Sequence, residues 1–159
     1  MREFEFVGRM YEECFNDQGI LKNEYGMISL PKRSTAKSGG YDFFVQEDIV
    51  CKSHEITLVK TGIKAKFPDD EVLLLFNRSS NPKKKGLIIP NGVGVVDADY
   101  YNNPDNEGEI GGLFYNMLDE DVVLKAGDKM MQGIFVKYGI TDSDNATGER
   151  LSGFGSTGR

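Results

Sequence analysis

The chain has 159 residues, nineteen of them glycine, and a formal net charge of −6. This length suits one domain with a sizeable core, and the acidic balance excludes a binder of duplex nucleic acid, because such proteins need a broad basic face against the phosphates. No apolar run is long enough to span a membrane, so we expect neither nucleic acid nor a membrane as partner. Cys14 and Cys51 are too few for a disulfide framework, which predicts reduced thiols and a cytoplasmic location.

The first half of the chain has the pattern of short strands divided by turns. Charged and apolar residues alternate over 2–7, which predicts a strand, and a helical turn is expected over Met10–Phe15. Further strands are predicted at 41–45, 55–59, 62–67 and 72–76. Turn signals separate them at the spacing of a meander or jelly roll, so the fold class is all-β.

One segment has the signals of a helix, residues 77–86. Ser80 or Asn81 can cap its start, Pro82 suits the first turn, and Gly86 ends it. The start of this helix, beside Arg78, is a candidate anion site.

The second half returns to strands. They are predicted at 87–90, 92–96, 109–115, 122–124 and 130–138, with a hairpin formed around 91–115. We therefore expect a β domain over 1–140, followed by a flexible arm over 141–159.

Two segments carry side chains suited to phosphate chemistry. Asp97, Asp99 and Tyr100 follow an apolar strand, where a carboxylate can act as general base or meet a metal through water; a turn that favours Asp is the structural alternative. The tail combines an arginine, an aromatic ring, spaced glycines and two hydroxyls, which suit a phosphate and a flat base, although a frayed terminus has the same composition. Its residues are Arg150, Phe154, Gly155, Ser156 and Thr157.

Taken in order, these segments resemble the five motifs of the trimeric dUTPase family, from about Leu30 to Arg159. The motifs are Ser38-Gly39-Gly40-Tyr41-Asp42-Phe43, Arg78-Ser79-Ser80, Asn91 with Gly94-Val95-Val96-Asp97-Ala98-Asp99-Tyr100, Gly127-Asp128-Lys129-Met130-Met131-Gln132, and Arg150 with Gly153-Phe154-Gly155-Ser156-Thr157-Gly158. Two positions depart from the family pattern. Residues 101–107 intervene before Gly108-Glu109, and Lys129 stands where arginine is common, so a bidentate contact there would be lost.

The resemblance implies a jelly-roll homotrimer in which three subunits build each active site and the arm closes over a neighbour's site. It implies hydrolysis of dUTP to dUMP and pyrophosphate with Mg2+, which limits uracil in DNA and supplies dUMP for thymidylate synthesis. Asp97 would deprotonate the attacking water and Asp42 would steady the metal through its water shell. Ser79 and Gln132 complete the expected catalytic set.

The same resemblance implies the substrate contacts. Tyr100 would lie under the deoxyribose and exclude a 2′-hydroxyl, and Phe154 would stack on uracil. The expected substrate-binding residues are Arg78, Ser79, Ser80, Asn91, Gly94, Val96, Asp97, Tyr100, Gln132, Arg150, Phe154, Gly155, Ser156 and Thr157.

Two other functions stay open at this point. A dCTP deaminase of the same fold would need a glutamate base, for which Glu109 is the candidate. A nucleotide-gated regulatory protein would use the enlarged segment 101–107 to bind a protein partner. A purely structural jelly roll would leave the spacing of the five motifs unexplained.

Overall fold

The computed structural model describes residues 1–14, 22–23 and 26–153, with side chains over 1–12 and 28–153. Within these ranges the chain is built from strands, two short helices and one 3-10 turn, Ala98–Tyr100, which confirms the all-β class. The helices are α1 (Gly8–Cys14) and α2 (Ser80–Lys85). The strands are β1 (Glu3–Phe6), β2 (Lys22–Asn23), β3 (Gly26–Met27), β4 (Tyr41–Phe44), β5 (Ile49–Cys51), β6 (Ile56–Lys60), β7 (Ile63–Lys66), β8 (Glu71–Asn77), β9 (Leu87–Ile88), β10 (Gly94–Asp97), β11 (Gly111–Asn116), β12 (Val122–Leu124) and β13 (Lys129–Lys137).

The strands pair antiparallel in several small sheets. The largest has the order β10-β8-β13-β4, and a second has the order β6-β11-β9. Smaller pairs are β1-β7, β5-β12 and β2-β3. Most neighbours are distant in sequence, as expected of a jelly roll.

One apolar core joins the two larger sheets. Leu73 and Met131 come from the first sheet and Val59 and Phe114 from the second, and all four are fully shielded from solvent. Burying a side chain of this size contributes about 2 kcal/mol, so the core fixes how the two sheets face each other.

Strand β8 is the central element that positions the site. Its burial alternates, with Glu71, Leu73 and Leu75 facing inward, as period-two patterning requires. The buried Glu71 carboxylate accepts both guanidinium contacts of Arg2, and this pairing offsets the cost of burying a charge.

The predicted helix is confirmed, but its predicted cap is wrong. Ser79 precedes the helix with helical dihedral angles and makes no capping bond. The Asn81 amide instead donates to Asn77 Oδ1 at 2.7 Å and to the Met130 carbonyl at 2.6 Å, so tertiary contacts hold α2. Gly86 ends the helix at φ 61°, a conformation that favours glycine.

The predicted hairpin around 91–115 is wrong. Strand β10 pairs with β8, whereas β11 pairs with β6 and β9. The two strands enter different sheets because each finds a longer partner elsewhere, and the space between them becomes a cavity.

After β13 the described residues 138–153 contain no further strand or helix. In the described part of the chain, no helix has the length and apolar character needed to cross a membrane.

Candidate functional site

An apolar cavity of about 250 Å³ opens beside β10. Its walls come from both larger sheets and from the described end of the chain. The lining residues are Leu75, Ile89, Asn91, Gly94, Val95, Val96, Asp97, Tyr100, Ile110, Gly111, Gly112, Leu113, Met131, Arg150 and Gly153. Most of them are apolar or glycine, which suits a flat ring with few polar contacts.

Tyr100 forms a fixed wall of the apolar cavity. Its side chain is buried, and its hydroxyl donates to the Glu109 carbonyl at 2.9 Å. Burial raises the pKa of the phenol, while the hydrogen bond from Asn106 opposes that rise. The ring is therefore neutral and held in one orientation.

Arg150 closes the mouth of the apolar cavity. Its guanidinium donates to Asp97 and, at 2.6 Å, to Asp99. Hydrogen bonding to Asp99 raises the pKa of Arg150. Next to it, Gly153 lies so close to Tyr100 that an added Cβ would meet the ring at 2.6 Å. The described end of the chain thus contacts this chain's own cavity.

A second, polar cavity of about 210 Å³ lies where β8 ends and α2 begins. It is lined by Ser34, Ser38, Gly40, Asp42, Arg78, Ser79 and Gln132. Arginine, hydroxyl and amide donors together suit phosphate oxygens.

Asp42 is the electrostatic centre of the polar cavity. Its carboxylate accepts from Ser34 Oγ at 2.6 Å and pairs with Lys129 at 2.8 Å and Arg78 at 3.3 Å. Burial disfavours the charged carboxylate, but the hydrogen bonds and charges of these neighbours outweigh it, so the pKa of Asp42 lies below its ordinary value. The carboxylate is ionised at neutral pH.

Gln132 reaches the polar cavity because residue 40 is glycine. A Cβ at Gly40 would lie 2.6 Å from Gln132 Oε1, closer than atoms tolerate, and Gln132 Nε2 donates to the Asn77 carbonyl at 3.3 Å. Glycine at this position therefore leaves room for the Gln132 side chain.

The register of the sheet separates Asp97 from Arg78. Asp97 on β10 lies opposite Val72, near the start of β8, whereas Arg78 follows Asn77 at its end. The five residue steps from Val72 to Asn77 span about 17 Å. Gln132 lies opposite Phe76, on the Arg78 side. Asp97 and Arg78 of one chain therefore cannot contact the same phosphorus.

The sequence-predicted site residues thus fall into two groups, with a few exceptions. Asn91, Gly94, Val96, Asp97, Tyr100 and Arg150 line the apolar cavity, and Asp42, Arg78, Ser79 and Gln132 line the polar one. Ser80 lies in the first turn of α2 and lines neither. Phe154, Gly155, Ser156 and Thr157 lie outside the described residues.

Sequence reasoning missed several participants. Ser34 and Lys129 form a hydrogen-bonded pair at 2.6 Å next to Asp42, and no local pattern marks Ser34. Lys129 was noted only as a departure from arginine, yet its single ammonium reaches both Ser34 and Asp42. The apolar walls, such as Ile89 and Leu113, are indistinguishable in sequence from core residues.

Known proteins of similar sequence identify the family. A model of the dUTPase family matches residues 27–158. The chain belongs to the dUTPase family. It is 46% identical over 141 residues to a deoxyuridine 5'-triphosphate nucleotidohydrolase of Lactococcus lactis, covering 87% of this chain and 94% of the relative. A Rickettsia felis protein of the same name is 33% identical over 150 residues, with 87% and 95% covered.

Solved dUTPase structures share the architecture. The dUTPase from Streptococcus mutans matches with a TM-score of 0.74 at 44% identity, covering 88% of this chain and 98% of that one. A dUTPase from phage phi11 of S. aureus, at 19% identity, matches with a TM-score of 0.68 over 92% of this chain and 96% of that one; this likeness concerns the fold alone. The predicted jelly roll is thereby confirmed.

Proposed function

We propose that this dUTPase hydrolyses dUTP to dUMP and pyrophosphate, with the nucleoside in the apolar cavity and the phosphates at the polar cavity. The observation that carries this assignment is the pairing of an apolar slot that has a carboxylate at its mouth with a separate cluster of phosphate donors. The relatives at 46% and 33% identity are named for the same reaction.

Recognition of the nucleoside follows from the walls of the apolar cavity. Asn91, Gly94 and Val96 offer backbone groups to the edge of uracil, with apolar residues on either side. The Tyr100 ring packs under the sugar and leaves no room for a ribose 2′-hydroxyl. Such steric exclusion discriminates substrates without a charged contact.

The chemistry is in-line attack of water on the α-phosphorus. Asp97 holds the water and accepts its proton, as a positioned general base does. Arg78 and Arg150 bind phosphate oxygens, Ser79 donates toward the leaving pyrophosphate, and Gln132 contacts the α-phosphate or the water. Positioning and charge neutralisation supply most of the acceleration.

Mg2+ fits the polar cavity as a partner of the triphosphate. Asp42 is one carboxylate whose oxygens already contact Ser34, Lys129 and Arg78, so it suits contact through water rather than direct ligation. Magnesium is commonly held by one or two carboxylates, substrate phosphates and several waters. Bound there, Mg2+ would supply positive charge to the triphosphate oxygens. A mutant of the phage phi11 dUTPase coordinates a structural Mg(II) ion.

A complete site requires more than one chain. The roles given to Asp97, Ser79 and Gln132 all act around one phosphorus. Within one chain, however, Asp97 lies about 14 Å along β8 from the position of Gln132 and about 17 Å from the end of the strand, which Ser79 follows. Residues from a second copy can close this gap, and we propose the homotrimer implied by the five motifs. Ile56 and Leu58 on β6 are exposed beside Tyr115 and Leu113, an apolar face of the kind that subunit interfaces cover.

The arm is the third component of the proposed site. We propose that residues 141–159 close over a neighbouring subunit's site and that Arg150 then binds phosphate. In the structure Arg150 pairs with Asp97 and Asp99, and these ion pairs must open before Asp97 can hold water. Closure of such an arm excludes bulk solvent from the reaction.

The direct test is pyrophosphate release from dUTP, dCTP, dTTP and UTP in parallel, with Mg2+ and with EDTA. Metal-dependent release from dUTP alone is expected. Absence of release from a confirmed oligomer would contradict the assignment.

The alternative function, deamination of dCTP, is not favoured. The Glu109 carboxylate is buried, accepts from Arg9 and binds the Gly62 amide at 2.9 Å, so it is committed to structure rather than placed as a base. Ammonia release from dCTP would be the evidence for it.

A regulatory protein partner at 101–107 stays a prediction. A pull-down with and without nucleotide tests it. We likewise propose a cytoplasmic location, which cell fractionation would test.

A further inference from the structure

The segment 101–107, which enlarges the third motif, is tightly folded around Tyr100. The Asn106 amide donates to the Tyr100 hydroxyl at 2.8 Å, and the Asn103 amide donates to the Tyr100 carbonyl at 2.9 Å. Asn103 is buried, and its amide also donates to Asn106 Oδ1 at 2.8 Å. Both ends of Tyr100, the phenol and the backbone, are therefore held by this one segment.

The segment is itself anchored to the N-terminal part of the chain. The Tyr101 hydroxyl donates to the Glu5 carboxylate at 2.8 Å, and Lys64 donates to Asn102 Oδ1 at 2.7 Å. Glu107 accepts from the Gly8 amide at 3.0 Å. These contacts reach β1, β7 and α1, so the segment is tied to the framework of the domain rather than projecting from it.

The geometry around Gly108 shows how closely the segment returns to Tyr100. Gly108 has φ 82°, and an added Cβ would lie 2.4 Å from the Tyr100 carbonyl oxygen. The Gly108 amide donates to Asn106 Oδ1 at 3.0 Å. The Asn106 side chain is thus oriented by bonds at its oxygen, which leaves its nitrogen directed at the phenol.

We infer that Asn106 is a positioning residue that fixes the Tyr100 ring and thereby sets the selectivity for deoxyribose over ribose. The inference rests on the proposed function, in which this ring excludes the 2′-hydroxyl. The phenol donates to the Glu109 carbonyl and accepts from Asn106, so its oxygen is restrained from two directions. Without the second restraint the ring can tilt, and a small tilt is enough to admit one more oxygen atom.

The test compares kcat/KM for dUTP and for UTP. In Asn106→Ala the dUTP-to-UTP ratio of kcat/KM is expected to fall about fivefold, in line with the loss of one buried hydrogen bond, while kcat for dUTP changes less than about twofold. Asp105→Ala is the matched control, because the Asp105 side chain is exposed in the same segment and the hydrogen bonds of the Tyr100 hydroxyl go to Glu109 and Asn106 instead. It should keep the wild-type ratio.

A double-mutant cycle separates positioning from general loosening of the fold. In a Tyr100→Phe background the Asn106 amide has no phenol to bind, so adding Asn106→Ala should change the ratio less than about twofold. An equal effect in both backgrounds would overturn the inference, as would a wild-type ratio in Asn106→Ala. If Asn106→Ala does not fold, Asn106→Asp keeps the oxygen that Gly108 and Asn103 use and removes the amide donor, with the same expected loss of selectivity.

Failure of the inference and failure of the proposed function are distinguishable. A wild-type enzyme that hydrolyses dUTP, with an unaltered ratio in the folded Asn106 variants, refutes only the positioning role. A wild-type oligomer that does not hydrolyse dUTP overturns both.

Discussion

Mixing two inactive variants tests whether the site is shared between chains. Asp97→Asn removes the proposed base in the apolar cavity, and Arg78→Gln removes the phosphate arginine in the polar cavity. Within one chain these residues lie at opposite ends of β8, about 17 Å apart along the strand. If one chain supplies Asp97 and another supplies Arg78, mixed oligomers will contain some intact sites.

The size of the recovery follows from this arrangement. In a random mixture of equal amounts, half of the chains carry an intact Asp97 and half carry an intact Arg78. A site that takes the two residues from different chains is intact with probability one half times one half, so the mixture should show about one quarter of wild-type activity. If a single chain supplied both residues, no site would be intact.

The assay is pyrophosphate release from dUTP after the two variants are co-expressed in equal amounts and the whole population of oligomers is purified. The matched control mixes Arg78→Gln with Ser79→Ala, which line the same cavity of one chain. Two such defects cannot complement at a shared site, so this mixture should stay inactive. Activity of the first mixture no greater than that of its parents would refute the shared site.

The other predictions concern single changes. Asp97→Asn should lower kcat for dUTP by about 10²–10⁴-fold with nearly unchanged binding of a non-hydrolysable analogue, and near-normal turnover would contradict its role as base. Truncation after Gly148 removes Arg150 and should abolish activity without dissociating the oligomer, as sedimentation and turnover will show. Because the pKa of Asp42 is lowered in the fold, the ionised carboxylate stabilises the folded state fully above the ordinary carboxyl pKa, and this stabilisation is lost as pH falls through the lowered value. The Tm advantage of wild type over Asp42→Asn should therefore shrink in acid. A Tm difference that does not change with pH would argue against the ion pairs. Gly108→Ala should lower the free energy of unfolding by about 2 kcal/mol or more, because of strain at φ 82° and contact with the Tyr100 carbonyl. An unchanged midpoint of urea unfolding would contradict this.

Local patterns were sufficient for most of the strands, but they did not predict β2, β3 or β5. The apolar run Val72–Phe76, preceded by a turn signal, marks β8 as a strand without a structure, although the burial of Glu71 is visible only in the fold. Helix α2 was marked by Pro82, the lysines and Gly86. The predicted capping by Asn81 failed because its amide donates to Asn77 and to the Met130 carbonyl, and only folding brings Met130 near.

The prediction of a hairpin around 91–115 was wrong for a related reason. Adjacent strands in sequence often pair, but β10 gains a full ladder with β8 and β11 gains one with β6. Pairing partners depend on the competition among all strands, which no local window contains.

The sequence by itself determined the chemistry that is available, because the five motifs supply carboxylates, arginines, an amide and a tyrosine, each of which has the same functional group in any fold. Only the tertiary structure decided where these groups lie. Sheet register placed Asp97 and Arg78 at opposite ends of β8, and folding brought Gly40 and Gln132 together in the polar cavity. Segment 101–107, whose role was not readable from its composition, folds onto Tyr100 through hydrogen bonds that exist only once the chain has closed on itself.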